Sequence, residues 1–228
     1  MKFLIQTING NVKHDFSFTL LESIEYHKWL RNDDSFDICF TDESILPNYV
    51  PIGSVEFVIN YLNIYHNLIP KPINIPSELL TEYYCGRNVF NGTEKDITSK
   101  KFVKSNDTIK SFTEICDIAP QGNYQISDIV NIKSEWRAFI YKNMLVGLQN
   151  YSGEFDVFPD VNKIKNMIKD FKSQPIAFTL DVGVIDNNNT VIIEVHDFFS
   201  CGLYGFSEHK ILPYMFSKWF NEYINKNK

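Results

Sequence analysis

The sequence predicts an α+β fold, in which strands and helices are grouped rather than alternating regularly as in a parallel α/β sheet. Two observations point to this class. Strand-like runs follow one another between residues 87 and 150, and a helical pattern then separates them from a final pair of strands. Of the 228 residues 44% are hydrophobic, which is enough apolar mass for one large domain or for two small domains packed together.

The N-terminal part contains two short runs typical of buried strands, residues 3–7 and 35–40. Between them, at residues 19–30, apolar side chains recur three and four residues apart, which indicates a helix with one buried face. Ser54 is expected to cap a second helix, because a serine side chain can accept a hydrogen bond from a free N–H group of the first turn. These elements predict a small α/β domain.

Residues 68–76 predict an extended connector, because proline fixes φ and removes a backbone donor, and this segment contains three prolines. Such a segment is a natural place for a domain boundary. We therefore expect a first domain at residues 1–75 and a second domain at residues 76–228.

The second domain is expected to begin with a short helix at residues 77–84. Its strands are predicted at residues 87–90, 100–104, 124–130, 135–141, 144–150, 176–185 and 190–196. Its two longer helices are predicted at residues 161–171 and 211–224.

Charge and cysteine usage restrict the kinds of partner and compartment. The net charge of −6 and the pI near 5.4 argue against a nucleic-acid-binding protein that relies on broad electrostatic attraction. The four cysteines form no CxxC pair, so we expect free thiols rather than disulfides or a zinc site. The N-terminus does not resemble a signal peptide, and no apolar run approaches the ~18 residues that span a bilayer. We expect a soluble, cytoplasmic protein without a membrane or nucleic-acid partner.

The last two predicted strands flank the polar loop Asp186–Asn189 and predict a β-hairpin. If these four residues form the loop, Ile185 pairs with Thr190, and Asp181 then lies directly opposite Glu194. Like charges about 5 Å apart on opposed strands repel each other. Because the neighbouring residues are apolar, the two carboxylates are costly unless a positive group lies between them.

His196 lies two residues beyond Glu194, so its side chain points to the same face of the strand. A divalent cation would relieve the repulsion, and Mg²⁺ typically takes one or two carboxylates together with phosphate oxygens. We therefore predict that Asp181, Glu194 and His196 hold the metal ion of a bound nucleoside triphosphate. Two alternatives remain open: the acids are hydrated on an exposed face, or a one-residue slip places them on opposite faces.

Lysine and arginine side chains upstream of the hairpin could contact phosphate. Lys104 ends a strand-like run, and a lysine facing a cleft suits phosphate, although most such lysines extend into solvent. Arg137 shares a strand face with Glu135. It either forms a cross-strand ion pair of little energy or binds phosphate oxygens bidentately. The chain contains neither GxxxxGK[ST] nor GxGxxG. Side chains and strands, rather than a glycine-rich loop, would therefore have to hold a triphosphate.

The order of these segments resembles the ATP-grasp superfamily. The segments that carry the resemblance are Phe102-Val-Lys104, the strand at 126–130, Glu135-Trp-Arg137, Leu180-Asp-Val-Gly183 and Ile192-Ile-Glu-Val-His-Asp197. Within the superfamily the chain resembles the divergent clade named for an arginine and two lysines, which includes a eukaryotic translation-initiation assembly factor. Val50–Phe57 and Gly202–Tyr204 add to this resemblance.

The resemblance implies an ATP-grasp fold, with two lobes whose antiparallel sheets clamp ATP, preceded by the small α/β domain. The N-lobe would span about residues 76–128 and the C-lobe about residues 129–228. It further implies that Ser127, Asp128, Ile129 and Val130 form the hinge between the lobes, beside the adenine ring.

The resemblance also implies roles for the charged residues. Lys104 and Arg137 would act in catalysis, Lys104 on the nucleotide phosphates and Arg137 near the transferred phosphate, and Lys110 would be the second lysine of the clade. Asp181 and Glu194 would bind Mg²⁺.

Histidine at position 196 departs from the family pattern, which usually has an asparagine there, and imidazole suits softer metals. Either His196 is a weak ligand, or it contacts phosphate, or Asp197 takes its place. Arg87 is a further candidate anion contact. Cys201 could suggest a nucleophile, but free cysteines are more often small buried side chains.

These features favour an ATP- and Mg²⁺-dependent carboxylate–amine ligase that forms an acyl phosphate and acts on a small molecule, a peptide or a protein. The alternative is an ATP-binding assembly factor that grips a partner protein with little or no turnover. A third interpretation, a metal-dependent hydrolase built on the acidic hairpin, needs no nucleotide. The substrates and the oligomeric state are not readable from the sequence.

Overall fold

The structure is a computed structural model that describes residues 1–109 and 111–227. It contains one small parallel sheet and two four-stranded antiparallel sheets. The predicted α+β class, with a small α/β sheet ahead of two antiparallel sheets, is confirmed. Among the described residues, no helix combines the length and the apolar character needed to cross a membrane.

The parallel sheet is formed by the N-terminal part of the chain, with β1 between β2 and β3. The second helix, α2, begins as predicted, because the Ser54 side chain accepts a hydrogen bond from the backbone N–H of Phe57 at 3.2 Å. The bounds are β1 Lys2–Gln6, α1 Asp15–Arg31, β2 Asp37–Thr41, β3 Val50–Ile52 and α2 Val55–His66.

The first antiparallel sheet has the strand order β4-β7-β5-β6. The bounds are β4 Val89–Thr93, β5 Lys101–Ser105, β6 Thr113–Cys116 and β7 Asn123–Ser127, preceded by the one-turn helix α3 Glu82–Cys85. One face of this sheet packs around Val103 and Ile126, both fully buried. Lys104 and Gln125 are opposite one another in the register and therefore share the other face.

The second antiparallel sheet has the strand order β11-β10-β8-β9. The bounds are β8 Ile132–Tyr141, β9 Met144–Gly153, α4 Val161–Asp170, β10 Ala177–Ile185, β11 Thr190–Asp197 and α5 Leu212–Lys226. Alternate residues of β8 and β10 pack with α4 in one apolar cluster, which includes Ala138, Leu180 and Ile168. Because side chains alternate along a strand, Arg137 and Asp181 face away from this cluster.

The backbone of the proline-rich connector is hydrogen-bonded to both antiparallel sheets. The Gln125 side chain, which is buried, accepts a hydrogen bond from Ile75 N at 3.0 Å and donates one to Ile75 O at 2.9 Å. The neighbouring Asn74 accepts a backbone hydrogen bond from Val195 of β11 at 2.7 Å. The connector contains no helix, as its prolines predict, but it is not extended throughout, because Asn74 adopts a positive φ of 53°.

The described residues divide into two compact units. One contains residues 1–69, 175–177 and 198–228, and the other contains residues 70–174 and 178–197. All the predicted charged site residues that the structure describes lie in the second unit. The two units are separated by their compactness alone. The domain and lobe limits expected from the sequence remain a prediction.

Several predicted elements differ from the observed ones. Strands β3 and β6 were not predicted, because each is only three or four residues long and lacks alternation. The expected helix at 77–84 is instead a short 3-10 turn followed by α3, because Thr81 caps a new turn by accepting from Tyr84 N. The strand expected to reach residue 130 ends at Ser127, where the chain crosses to the second antiparallel sheet.

Candidate functional site

The acidic hairpin places Asp181 directly opposite Glu194, as the sequence predicted. The assumed loop, however, is wrong. Ile185 N donates to Asn189 O at 3.0 Å and Thr190 pairs with Val184, so the loop is one residue shorter than expected. Asn188 adopts a positive φ of 59°, as the last residue of three-residue hairpin loops commonly does. A bulge on β11 then adds one residue and restores the Asp181–Glu194 pairing.

Lys104 pairs with Glu194 across the two antiparallel sheets. Its Nζ contacts Glu194 Oε2, and Lys104 is only 9% exposed. His196 Nε2 lies within hydrogen-bonding distance of the other carboxylate oxygen, Oε1. Burial alone would raise the pKa of Glu194, but the hydrogen bond with His196 and the electrostatic influence of His196 and Lys104 hold it well below its ordinary value. Glu194 is therefore ionised at neutral pH.

Arg137 forms a bidentate pair with Asp181. The Nε–Oδ1 and Nη2–Oδ2 distances are 2.8 Å and 2.7 Å. Asp181 is 1% exposed and Arg137 is 7% exposed, so both charges are removed from bulk water. Of the two sequence-based alternatives for Arg137, the cross-strand ion pair is present, with Asp181 of the neighbouring strand β10 as the partner.

Tyr151 of β9 extends this network. Its hydroxyl donates to Glu135 Oε2 at 2.7 Å and lies 3.4 Å from Asp181 Oδ2. Burial and the negative charges of Asp181 and Glu135 raise the pKa of Tyr151 far above its ordinary value. The hydroxyl therefore stays protonated and serves as a donor between the two acids.

Asp181, Glu194 and His196 form a cluster with the chemistry of a metal site. One ligand atom from each lies within 4.8 Å of the others. The hydroxyl of Thr179, which is fully buried two residues before Asp181 on the same strand face, makes no hydrogen bond within the described part of the chain.

The charge balance around this cluster also suits a cation. The acids at 135, 181 and 194 outnumber the cations at 104 and 137 by one. A surplus of negative charge and an unpaired buried hydroxyl fit a site that receives a cation.

The predicted hinge residues lie where the chain leaves the first antiparallel sheet. Ser127 is buried on the same sheet face as Lys104, because it is two residues from Gln125, which is opposite Lys104. The Asp128 carboxylate accepts from Lys101 Nζ at 2.6 Å, and this hydrogen bond lowers the pKa of Asp128. Ile129 is 48% exposed and Val130 is partly buried, so both are beyond the strand and outside the core.

The remaining sequence-based candidates are Lys110, Arg87, Cys201 and Asp197. Lys110 lies outside the described residues. The Arg87 guanidinium donates to the carbonyls of Cys85 and Ile192 at 2.9 Å and 3.0 Å, which supports the backbone. Cys201 is buried, and Asp197 is partly buried at the end of β11.

Comparison with known proteins shows which family this chain belongs to. The family model of the ATP-grasp domain, R2K clade family 2, matches residues 84–213, more than half of the chain. The chain belongs to this family. The match includes the five polar residues brought together here, Lys104, Arg137, Asp181, Glu194 and His196. No curated protein matches the sequence.

Solved structures share the ATP-grasp fold. D-alanine–D-alanine ligase from Bacillus anthracis has a TM-score of 0.53 and 8% identity over 100% of this chain and 99% of that chain. The same ligase complexed with ATP has a TM-score of 0.52 with equal identity and coverage. Phosphoribosylglycinamide synthetase from Anaerococcus prevotii has a TM-score of 0.49 and 12% identity over 95% and 75% of the two chains. The family match and the two structures of the D-alanine–D-alanine ligase confirm the expected ATP-grasp fold.

Sequence reasoning missed the contributions of Tyr151, Thr179 and Gln125. Tyr151 lies two residues from Gln149, which is opposite Arg137, so strand alternation could have identified it once the β8–β9 register was known. Strand alternation could also have identified Thr179, because it precedes Asp181 by two residues and therefore shares its strand face. Gln125 had no such signal, since its partner is the backbone of the distant connector.

Proposed function

We propose that this ATP-grasp protein is an ATP- and Mg²⁺-dependent ligase that joins a carboxylate to an amine through an acyl phosphate. The observation that carries the proposal is the buried cluster in which Lys104 of one antiparallel sheet meets Glu194 of the other. The R2K clade family match supports nucleotide binding, and a solved structure of the same fold holds ATP.

The proposed roles follow from charge and position. Lys104 and Arg137 are buried cations on faces that meet at the cluster, so they can neutralise nucleotide phosphates without the cost of reorganising water. Their carboxylate partners hold them in place until phosphate competes for them. Ser127, Asp128, Ile129 and Val130 would border the adenine ring, and Lys110 would act as a second phosphate contact. In phosphoryl transfer the protein supplies positioning and charge neutralisation, and the substrate carboxylate rather than a protein side chain is the nucleophile.

Asp181, Glu194 and His196 would hold Mg²⁺. When bound, the metal would supply positive charge to the phosphate oxygens. Tyr151 would keep Asp181 oriented through its hydroxyl, and the fully buried Thr179 would offer a further hydroxyl to the site. The substrate carboxylate and amine would come from a small molecule, a peptide or a protein.

A turnover assay tests the proposal. Purified protein is incubated with Mg-ATP and a panel of carboxylates and amines, and ADP release is measured with and without each acceptor. Acceptor-dependent ADP release is the expected result. Nucleotide binding without turnover would instead favour the assembly factor, and hydrolysis of an ester or phosphoester without nucleotide would favour the metal-dependent hydrolase.

Variants of the acidic residues, compared with a control variant, test whether the activity depends on the proposed site. Asp181→Asn and Glu194→Gln are expected to lower the rate by about 10²–10³-fold, the loss typical when one preorganised electrostatic group is removed. Glu154→Gln, which changes an exposed acid at the end of β9, is the control and should keep the rate. Equal activity in all three variants would contradict the proposed site.

A further inference from the structure

A basic groove lies at the C-terminal half of α4, beside the start of β9. Its volume is about 580 Å³, within the range of known ligand sites. It is lined by Asn143, Leu145, Lys165, Ile168, Lys169, Lys172 and Gln174. Ile168 belongs to the apolar cluster between α4 and the second antiparallel sheet, so the groove is on the opposite face of this sheet from Arg137.

The groove carries more positive than negative charge. The Glu78 carboxylate lies beside it, accepting from Ser173 N and Oγ at 3.2 Å and 2.6 Å, against three lysines in the lining. Lys165, Lys169 and Lys172 are exposed, and no carboxylate of the described residues forms an ion pair with them. Asp170 is the single acid between residues 161 and 174, and its carboxylate accepts from the Tyr84 hydroxyl at 2.6 Å. In a chain with a net charge of −6, three unpaired lysines around one concavity indicate an acidic ligand.

Gln174 adds an unpartnered acceptor to the groove. Its Nε2 donates to the carbonyls of Ile168 and Phe171, both at 2.8 Å, which fixes the amide group. Its Oε1 is buried and makes no hydrogen bond within the described part of the chain. A buried carbonyl oxygen without a donor is costly, so a ligand N–H would be favoured here.

Strand β9 borders the groove and is the edge strand of its sheet. Natural edge strands are usually protected by charged residues or proline. The ten residues Met144–Gly153 contain neither. Two bulges, at Val146 and Tyr151, interrupt the pairing of β9 with β8. The stretch Gly147–Asn150 between them is regular and uncharged, so it can pair with a short extended chain through backbone hydrogen bonds.

We propose that this groove and the edge of β9 bind an extended, acidic segment of a peptide or protein. The segment would add a strand to β9, and its carboxylates would face the three lysines of α4. Backbone pairing explains why the strand is uncharged, and the lysines select acidic side chains. The site does not depend on nucleotide, and it lies away from the proposed nucleotide site.

A binding experiment tests this site with a fluorescent peptide of alternating glutamate and valine, as long as β9. Fluorescence anisotropy of the full chain should show saturable binding. The variant with Lys165→Gln, Lys169→Gln and Lys172→Gln should bind about tenfold more weakly, the expected sum of three modest charge pairs. The control variant, with Lys13→Gln, Lys100→Gln and Lys218→Gln at exposed positions, has the same net charge and should keep the affinity.

Two further probes separate the proposed mode from unspecific attraction. The same peptide N-methylated at alternate residues should lose binding if it pairs with β9, and an alternating lysine–valine peptide should not bind. The proposal is overturned if the groove and control variants bind alike, if N-methylation has no effect, or if single-stranded oligothymidine competes as well as the peptide. Both variants should keep their stabilisation by Mg-ATP, so failure here is distinguishable from failure of the proposed ligase function.

Discussion

Arg137 and Asp181 form a buried ion pair, in which the two residues are 7% and 1% exposed. Their bidentate geometry offsets the cost of removing both charges from water, which is several kcal/mol for each ion in proteins. Such pairs contribute little net stability, but loss of one partner leaves an uncompensated buried charge. The sequence predicted a cross-strand ion pair for Arg137 without naming the partner, and the adjacency of β8 and β10 selects Asp181.

The first prediction concerns this pair. Arg137→Met should lower the free energy of unfolding by about 3–5 kcal/mol, because it leaves Asp181 buried without its cation. Adding Asp181→Leu should recover most of this loss, since neither charge of the pair then remains. Urea denaturation of both variants measures the difference, with Lys100→Met as an exposed control. A double variant no more stable than the single one would show that the pair itself stabilises the fold.

At the scale of elements, the connector between the units is held by specific side chains rather than by its own prolines. Gln125 of β7 hydrogen-bonds both backbone groups of Ile75, and Asn74 donates to the Ser105 carbonyl at 2.9 Å. The prolines exclude helix, but they do not determine where the connector lies. Its position depends on buried amides of the first antiparallel sheet.

The second prediction follows from this arrangement. Gln125→Met keeps the side-chain volume but removes both hydrogen bonds to Ile75, so buried backbone groups lose their partners. The free energy of unfolding should fall by about 2 kcal/mol or more, at about 1–3 kcal/mol for each unsatisfied group. Hydrogen exchange at Ile75 should also become faster. Gln121→Met, at an exposed loop position, is the control, and equal exchange in both variants would refute this role.

At the scale of the whole molecule, ligand binding should couple the two antiparallel sheets, since the charged residues of the cluster come from β5, β8, β10 and β11. A ligand that binds only the folded chain stabilises all of it by mass action. In the ligand-free structure, two cations and three acids already compensate one another in part. Phosphate and metal would have to be added together to keep this balance.

The third prediction therefore concerns metal withdrawal. Mg-ATP at a hundred times its Kd should raise the free energy of unfolding by about 2.7 kcal/mol. EDTA should remove most of this gain, because ATP alone adds negative charge beside Asp181 and Glu194. Thermal denaturation with ATP, Mg²⁺ or both measures the coupling, and Glu194→Gln should weaken it. Equal stabilisation by ATP with and without Mg²⁺ would count against the acidic trio as a metal site.

Short-range features of this protein are readable from its sequence: the helix that Ser54 caps, the connector without helix, the α+β class and the order of charged residues on their strands. These depend on short-range spacing and on single-residue chemistry. The tertiary structure decided which charges meet, since Lys104 and Glu194 are 90 residues apart and lie in different sheets. It also decided the hairpin register, because the shorter loop and the β11 bulge depend on backbone geometry that side-chain alternation does not encode.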